Sequence, residues 1–148
     1  MNNDVYADNC NSYFQPEYSM IGDIEEYIQN ELKDSMYYFE LSKKAPSQMA
    51  KDLLEEFSKD EKTHAEGFVK AYGILTGLMF HSMDVGVQQI PEYSEALKSR
   101  FLSETSESKK YSDQYLKTRN QFLKDLFFSI SSSEAQHAMK ILLLMCEA

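Results

Sequence analysis

Two of the three histidines follow a glutamate by three residues, as Glu61-Lys62-Thr63-His64 and Glu134-Ala135-Gln136-His137. On a helix this spacing sets both side chains on one face, where a carboxylate and an imidazole can grip the same metal ion. Thirty residues before each pair stands another glutamate, Glu31 and Glu104. One Glu and one Glu-x-x-His from each half of a chain make up the ligand set of a di-metal carboxylate centre inside a helical bundle. A chain with 24 acidic residues places some Glu three before a His by accident. The same arrangement twice, each with its upstream Glu at the same distance, argues for metal instead. These carboxylates share helices with apolar stripes and would enter the bundle as unpaired charges, which is very costly without cations.

The two halves are related. A shift of 73 positions lays SQMAKDLLEEFSKDEKTH (47–64) over NQFLKDLFFSISSSEAQH (120–137) with no gap, and seven of the 18 positions are identical, Glu61/Glu134 and His64/His137 among them. The shift also lays Glu31 on Glu104 and Tyr38 on Tyr111. Two related helical hairpins joined by a long connection point to duplication.

Four elements must carry these residues. Apolar residues at Ile21, Ile24, Ile28, Leu32, Tyr38 and Leu41 recur at helical steps and predict a first helix over 20–44. Ala45-Pro46-Ser47 ends it and starts a second over 47–76, with Ser47 as cap and Gly77 as terminator. The stretch 77–91 has no period and carries Gly86 and Pro91, so it reads as a crossover. Its 15 residues can reach about 50 Å when extended, enough to traverse a bundle end to end. A third helix is expected over 92–117 and a fourth over 120–146. The fold class is therefore all-α, a four-helix bundle of two hairpins over residues 20–148, preceded by an N-terminal arm, 1–19, with Tyr6, Tyr13, Phe14 and Tyr18. His81 falls in the crossover without a partner at ligand spacing and reads as a surface or packing residue. The eight methionines are scattered and read as core filler.

Composition narrows the class. With 148 residues, 43% hydrophobic and 13% aromatic, the chain can bury one domain's core, while five Gly and three Pro disfavour a many-stranded β fold. A formal net charge of −9 repels phosphate backbones and attracts cations, so no nucleic-acid partner is expected. The sequence has no apolar run of membrane length and no signal-peptide pattern, and Cys10 and Cys146 form neither a disulfide framework nor a C-x-x-C knuckle. A cytoplasmic protein without membrane contact is the expectation. Aromatic residues on outer positions, Tyr37 and Phe39, suggest a further buried face and a homodimer.

The order Glu, Glu-x-x-His, long crossover, Glu-x-x-Glu, Glu-x-x-His resembles the rubrerythrin di-iron domain of the ferritin-like superfamily, over residues 20–147. The most specific part is Glu104-Thr105-Ser106-Glu107, because rubrerythrins carry an extra glutamate three residues after the third-helix ligand; Asp34 holds the matching place in the first half. The resemblance implies Glu31, Glu61, His64, Glu104, Glu107, Glu134 and His137 as ligands of two iron ions, with Glu61 and Glu134 bridging. Manganese or a mixed pair is also open to N/O ligands. Tyr38 and Tyr111 resemble tyrosines that lie one or two turns from the ligands in that family, and ordinary core packing is the competing reading. Asp60 resembles an Asp that hydrogen-bonds a ligand histidine of the other half, which here would be His137; solvation is its alternative.

The resemblance implies hydrogen peroxide, or dioxygen, as oxidant. Classical rubrerythrins carry a rubredoxin domain with two C-x-x-C pairs; this sequence has none, so a separate rubredoxin-like protein or flavoprotein is the expected electron donor. A ferroxidase or iron-storage protein is the first competing expectation. A structural or coat-associated bundle stapled by metal is the second.

Overall fold

The computed structural model describes residues 20–86 and 89–147. They form four helices, α1 (Ile21–Ser42), α2 (Gln48–Thr76), α3 (Tyr93–Lys117) and α4 (Gln121–Glu147), all within two residues of the expected bounds. The difference at the end of α1 has a local cause. Lys43 and Lys44 already bond three residues back, to Glu40 and Leu41, because Ala45 precedes Pro46 and is driven out of the helical region. Ser47 then caps α2 from an extended backbone, its side chain accepting from the Ala50 N–H at 3.1 Å. Gly77 ends the helix with φ 71°, a left-handed turn that costs glycine little. Asn120 caps α4 by accepting from the Leu123 N–H at 3.1 Å. The N-terminal arm and its four aromatics lie outside the described residues.

Two hydrophobic clusters fill the bundle, one at each end. The first joins Ile24, Tyr27 and Ile28 of α1 to Phe68 and Ala71 of α2, Tyr111 of α3 and Leu123, Phe127 and Ile130 of α4. The second joins Tyr38 and Leu41 to Ala50, Leu54 and Phe57, Ala96 and Leu97, and Ile141 and Leu144. Each large apolar side chain fully buried this way contributes about 1.5–3 kcal/mol. Membership of the clusters gives the topology: α1 and α2 are antiparallel, α3 and α4 are antiparallel, and α2 and α3 start at the same end. Phe80 packs on the first cluster and Ile90 on the second, so the connection between α2 and α3 spans the length of the bundle. Lys44 ties its far end by donating to the carbonyls of Ile90 and Pro91, at 2.6 and 3.1 Å.

The repeat is visible in the packing of each hairpin. Ser35 and Ser58 each donate a hydroxyl to the other's carbonyl, at 2.7 and 2.8 Å, and Ser108 and Ser131 do the same at 2.9 and 2.8 Å. Both pairs are related by the 73-residue shift. No described helix is long and apolar enough to cross a membrane. His81 is exposed. The methionines do not fill the core: of those described only Met20 is buried, while Met49, Met79, Met83 and Met139 are exposed. Rigid Leu, Ile and Phe occupy the space between helices instead.

Candidate metal centre

Between the two apolar clusters lies a polar layer. Glu31 on α1, Glu61 and His64 on α2, Glu104 on α3, and Glu134 and His137 on α4 are all buried, His64 the least so at 8% exposure. Helical i, i+3 spacing brings each Glu-x-x-His onto one face, and the hairpins bring the upstream glutamates opposite. Two groups result, each with its ligand atoms within 4.8 Å of one another: Glu31, Glu61, His64 and Glu134, and Glu61, Glu104, Glu134 and His137.

Glu61 and Glu134 belong to both groups, one oxygen to each. Glu61 places Oε2 3.0 Å from His64 Nδ1 and Oε1 3.1 Å from His137 Nδ1. Glu134 places Oε1 3.0 Å from His64 Nδ1 and Oε2 3.1 Å from His137 Nδ1. Glu31 and Glu104 close the outer sides, at 3.4 Å from His64 Nδ1 and 3.5 Å from His137 Nδ1.

A second layer orients these groups. Tyr38 donates its hydroxyl to Glu104 Oε1, and Tyr111 donates to Glu31 Oε1, so each tyrosine serves the glutamate of the other half. His137 Nε2 lies 3.1 Å from Asp60 Oδ2. An ionised carboxylate only accepts, so the ring nitrogen donates and Nδ1 is left for an ion. Arg100, which the sequence reading did not single out, is buried beside them. Its guanidinium donates to Asp34 Oδ1 and to Glu104 Oε1, both at 2.7 Å, and covers the Tyr38 ring at 4.7 Å. The available signal was its position one turn before Glu104 on the same helix face.

Glu107 falls elsewhere than the resemblance implies. It belongs to neither ligand group; its carboxylate is 3.8 Å from Arg100 Nη2, and its side chain is 19% exposed. Asp34, its counterpart in the repeat, is taken by Arg100 in the same way. A buried guanidinium on this side draws both carboxylates toward itself. Tyr37, read as an outer aromatic, has its ring 5.5 Å from the same guanidinium. Phe39 is 47% exposed.

Burial and the crowding of carboxylates around two imidazoles set the electrostatics of this layer. Burial pushes the Glu31 carboxyl up to about 7, with the neighbouring Glu61 charge adding to it. Burial opposes protonation of His64, yet hydrogen bonds to Glu134, Glu31 and Glu61 carry it up to about 12. His137 is raised likewise, burial being outweighed by Asp60, Glu104, Glu134 and Glu61. Glu104 moves the other way: burial would raise it, but His137 and Arg100 bring it down to about 2. Protons on the histidines thus stand where metal charge would stand.

The donor set fits a pair of divalent ions. Glu61 Oε1, Glu104 Oε2, Glu134 Oε2 and His137 Nδ1 are buried and have no partner outside their own group, in which the three carboxylate oxygens converge on Nδ1 at 3.1, 3.5 and 3.1 Å. Buried polar atoms without a partner are rare and costly. Four carboxylates carry the charge that two divalent ions neutralise, and Glu/His donors suit iron, manganese or zinc. No family model, no curated protein and no solved structure matches this chain.

Proposed function

We propose that this chain is a di-iron oxidoreductase that reduces hydrogen peroxide to water with electrons from a separate donor protein. The observation that carries the reading is the buried set of three carboxylate oxygens converging on His137 Nδ1, beside a second group that shares Glu61 and Glu134 with it. In this reading Glu31, His64 and the shared carboxylates hold one ion, and Glu104, His137 and the same carboxylates hold the other. When bound, two ferrous ions supply the two electrons that, with two protons, turn one peroxide into two waters. Tyr38 and Tyr111 fix the outer glutamates through Oε1 and leave Oε2 for ligation. Asp60 fixes the tautomer of His137. Glu107, pushed up to about 9 by burial and by the nearby Asp34 charge, stands as a protonated acid on the Arg100 side and is a proton source. The apolar clusters on either side keep bulk water out. The chain's own Cys10 and Cys146 make no electron relay, so a rubredoxin-like or flavoprotein donor completes the cycle.

The test is anaerobic reconstitution with ferrous iron, metal analysis, and one equivalent of hydrogen peroxide followed by near-ultraviolet absorption. About two irons per chain, oxidised faster by peroxide than by dioxygen and turning over repeatedly with a reductant, support this reading. Faster oxidation by dioxygen in a single turnover would make the protein a ferroxidase instead. Bound metal with no redox response would make the centre a folding staple.

A further inference from the structure

The two halves of the centre are related by the repeat, but their surroundings are not. Asp60, immediately before Glu61, accepts from His137 Nε2 at 3.1 Å. The position 73 residues on, immediately before Glu134, is Ser133, which has no carboxylate to offer His64. Among the described residues no hydrogen bond holds His64 Nε2, and His64 is 8% exposed against 1% for His137. The outer glutamates differ in the same sense. Glu104 Oε1 receives both the Tyr38 hydroxyl and Arg100 Nη2, whereas Glu31 Oε1 receives the Tyr111 hydroxyl alone. Tyr27 stands in the repeat where Arg100 would be, and its hydroxyl faces Gln114 at 3.1 Å.

We infer that the two metal positions are unequal: the one formed by Glu61, Glu104, Glu134 and His137 takes the first ion and retains it, and the one formed by Glu31, Glu61, His64 and Glu134 takes the second and exchanges it. The inference rests on the di-metal reading above. At the His137 position the four ligand atoms are fully buried and face only one another, so an ion there displaces no contact outside the group. The imidazole there is oriented, and its basicity raised, by a carboxylate, a contact whose loss costs 10–100-fold in metal affinity at comparable sites. Glu104 is confined to ligation through Oε2 and cannot turn away. Arg100 does not make the position cationic, because Asp34 and Glu104 each lie 2.7 Å from its guanidinium. At the His64 position the ring lacks that support and is the more exposed of the two, and Glu31 Oε1 is held by the Tyr111 hydroxyl alone. An ion there has the ligands but not the restraint.

Cobalt(II) titration of the metal-free full chain tests this, with visible ligand-field absorption and metal analysis as readouts and helicity checked for each variant. Two steps are expected, separated by roughly tenfold or more in affinity, and a brief chelator pulse on the loaded protein removes one ion per chain first. His64→Ala should keep the first step and lose the second; His137→Ala should lose the first. Asp60→Asn should weaken the first step by about tenfold or more, and Ser133→Asp, which supplies the missing carboxylate, should tighten the second by a similar factor. A single step of two ions, or a first step that survives in His137→Ala and vanishes in His64→Ala, overturns the inference and leaves the di-metal reading intact. If His137→Ala does not fold, an unchanged first step in Asp60→Asn and an unchanged second step in Ser133→Asp overturn it equally. No cobalt binding at all overturns the di-metal reading itself, and this inference with it.

Discussion

Tyr38, near the end of the first helix, donates its hydroxyl to Glu104 in the middle of the third, and so ties the two halves of the repeat through a buried carboxylate. Tyr111 returns the bond to Glu31. Burial raises both phenols well above their ordinary value, so they remain neutral donors over the whole working range of pH. Their rings also pack, Tyr38 on Phe57 and Tyr111 on Phe68. Each ring thus packs in a hydrophobic cluster while its hydroxyl meets a buried glutamate.

Replacing either by phenylalanine keeps the ring and removes the donor. Glu31 Oε1 then lacks its donor, which costs the metal-free fold about 1–3 kcal/mol, and Glu104 Oε1, which still accepts from Arg100 Nη2, loses less. It should also weaken metal binding by roughly 10–100-fold, as loss of an outer-layer partner does. Thermal unfolding and chelator competition measure the two effects, and unchanged affinity in both variants would show the hydroxyls to be bystanders.

Glu61 and Glu107 give opposite expectations. Glu61 offers an oxygen to each group, so Glu61→Ala should remove a ligand from both positions and leave less than one tightly held ion per chain. Glu107 belongs to neither group, so Glu107→Gln should retain full metal stoichiometry. Metal analysis after gel filtration decides it. Loss of one ion in Glu107→Gln would mean that this carboxylate leaves Arg100 and joins the centre on loading.

The six residues of the two Glu/His groups and the helices that carry them were legible because spacing alone brings them together. A Glu three before a His shares its face in any helix, and the 73-residue shift doubled the signal. Ser47, Pro46 and Gly77 marked helix ends through backbone chemistry that needs no tertiary context. Arg100 was not legible in this way, since a single arginine on a helix of Ser, Glu and Lys reads as solvated until the opposite helix supplies Asp34. The same packing explains Glu107. Its sequence position says ligand, but a guanidinium two helical turns back on the same face competes for it. The methionines misled for another reason: scattered apolar residues carry no period, and period is what reports burial.

Arg100 gives the largest expected stability effect. It is buried with Asp34 and Glu104 bound at 2.7 Å, and removing one partner of a buried ion pair leaves the other charge uncompensated, at a cost of about 3–5 kcal/mol. Arg100→Met should lower the unfolding midpoint of the metal-free protein by that measure. The double variant Arg100→Met with Asp34→Leu should recover part of the loss, because two apolar residues replace a pair and leave one charge fewer unpaired. No recovery would mean that the guanidinium acts on Glu104 alone.

The stability of the metal-free chain should fall as pH rises from about 5 to 9, and metal should reduce the fall. His64 is raised to about 12 from an ordinary 6.5, so the stability its protonated form contributes is complete below 6.5 and is lost as pH climbs toward 12. Glu31 and Glu107, raised to about 7 and about 9 from 4.5, act with the same sign: above 4.5 the unfolded chain releases protons that the folded chain still holds. Glu104, brought down to about 2, works on the acid side only, where its contribution, present above 4.5, is lost as pH falls toward 2. The metal-free optimum therefore lies on the acid side of neutrality, between these two limbs. Bound ions replace the protons on His64, His137 and Glu31, so these groups no longer take up protons on folding, while Glu107, outside both groups, still does; the midpoint of the loaded chain therefore falls less over the same range. Unfolding midpoints of metal-free and loaded protein at pH 5, 7 and 9 measure this directly, and a metal-free midpoint that rises with pH would show that the histidines are neutral before the metal arrives.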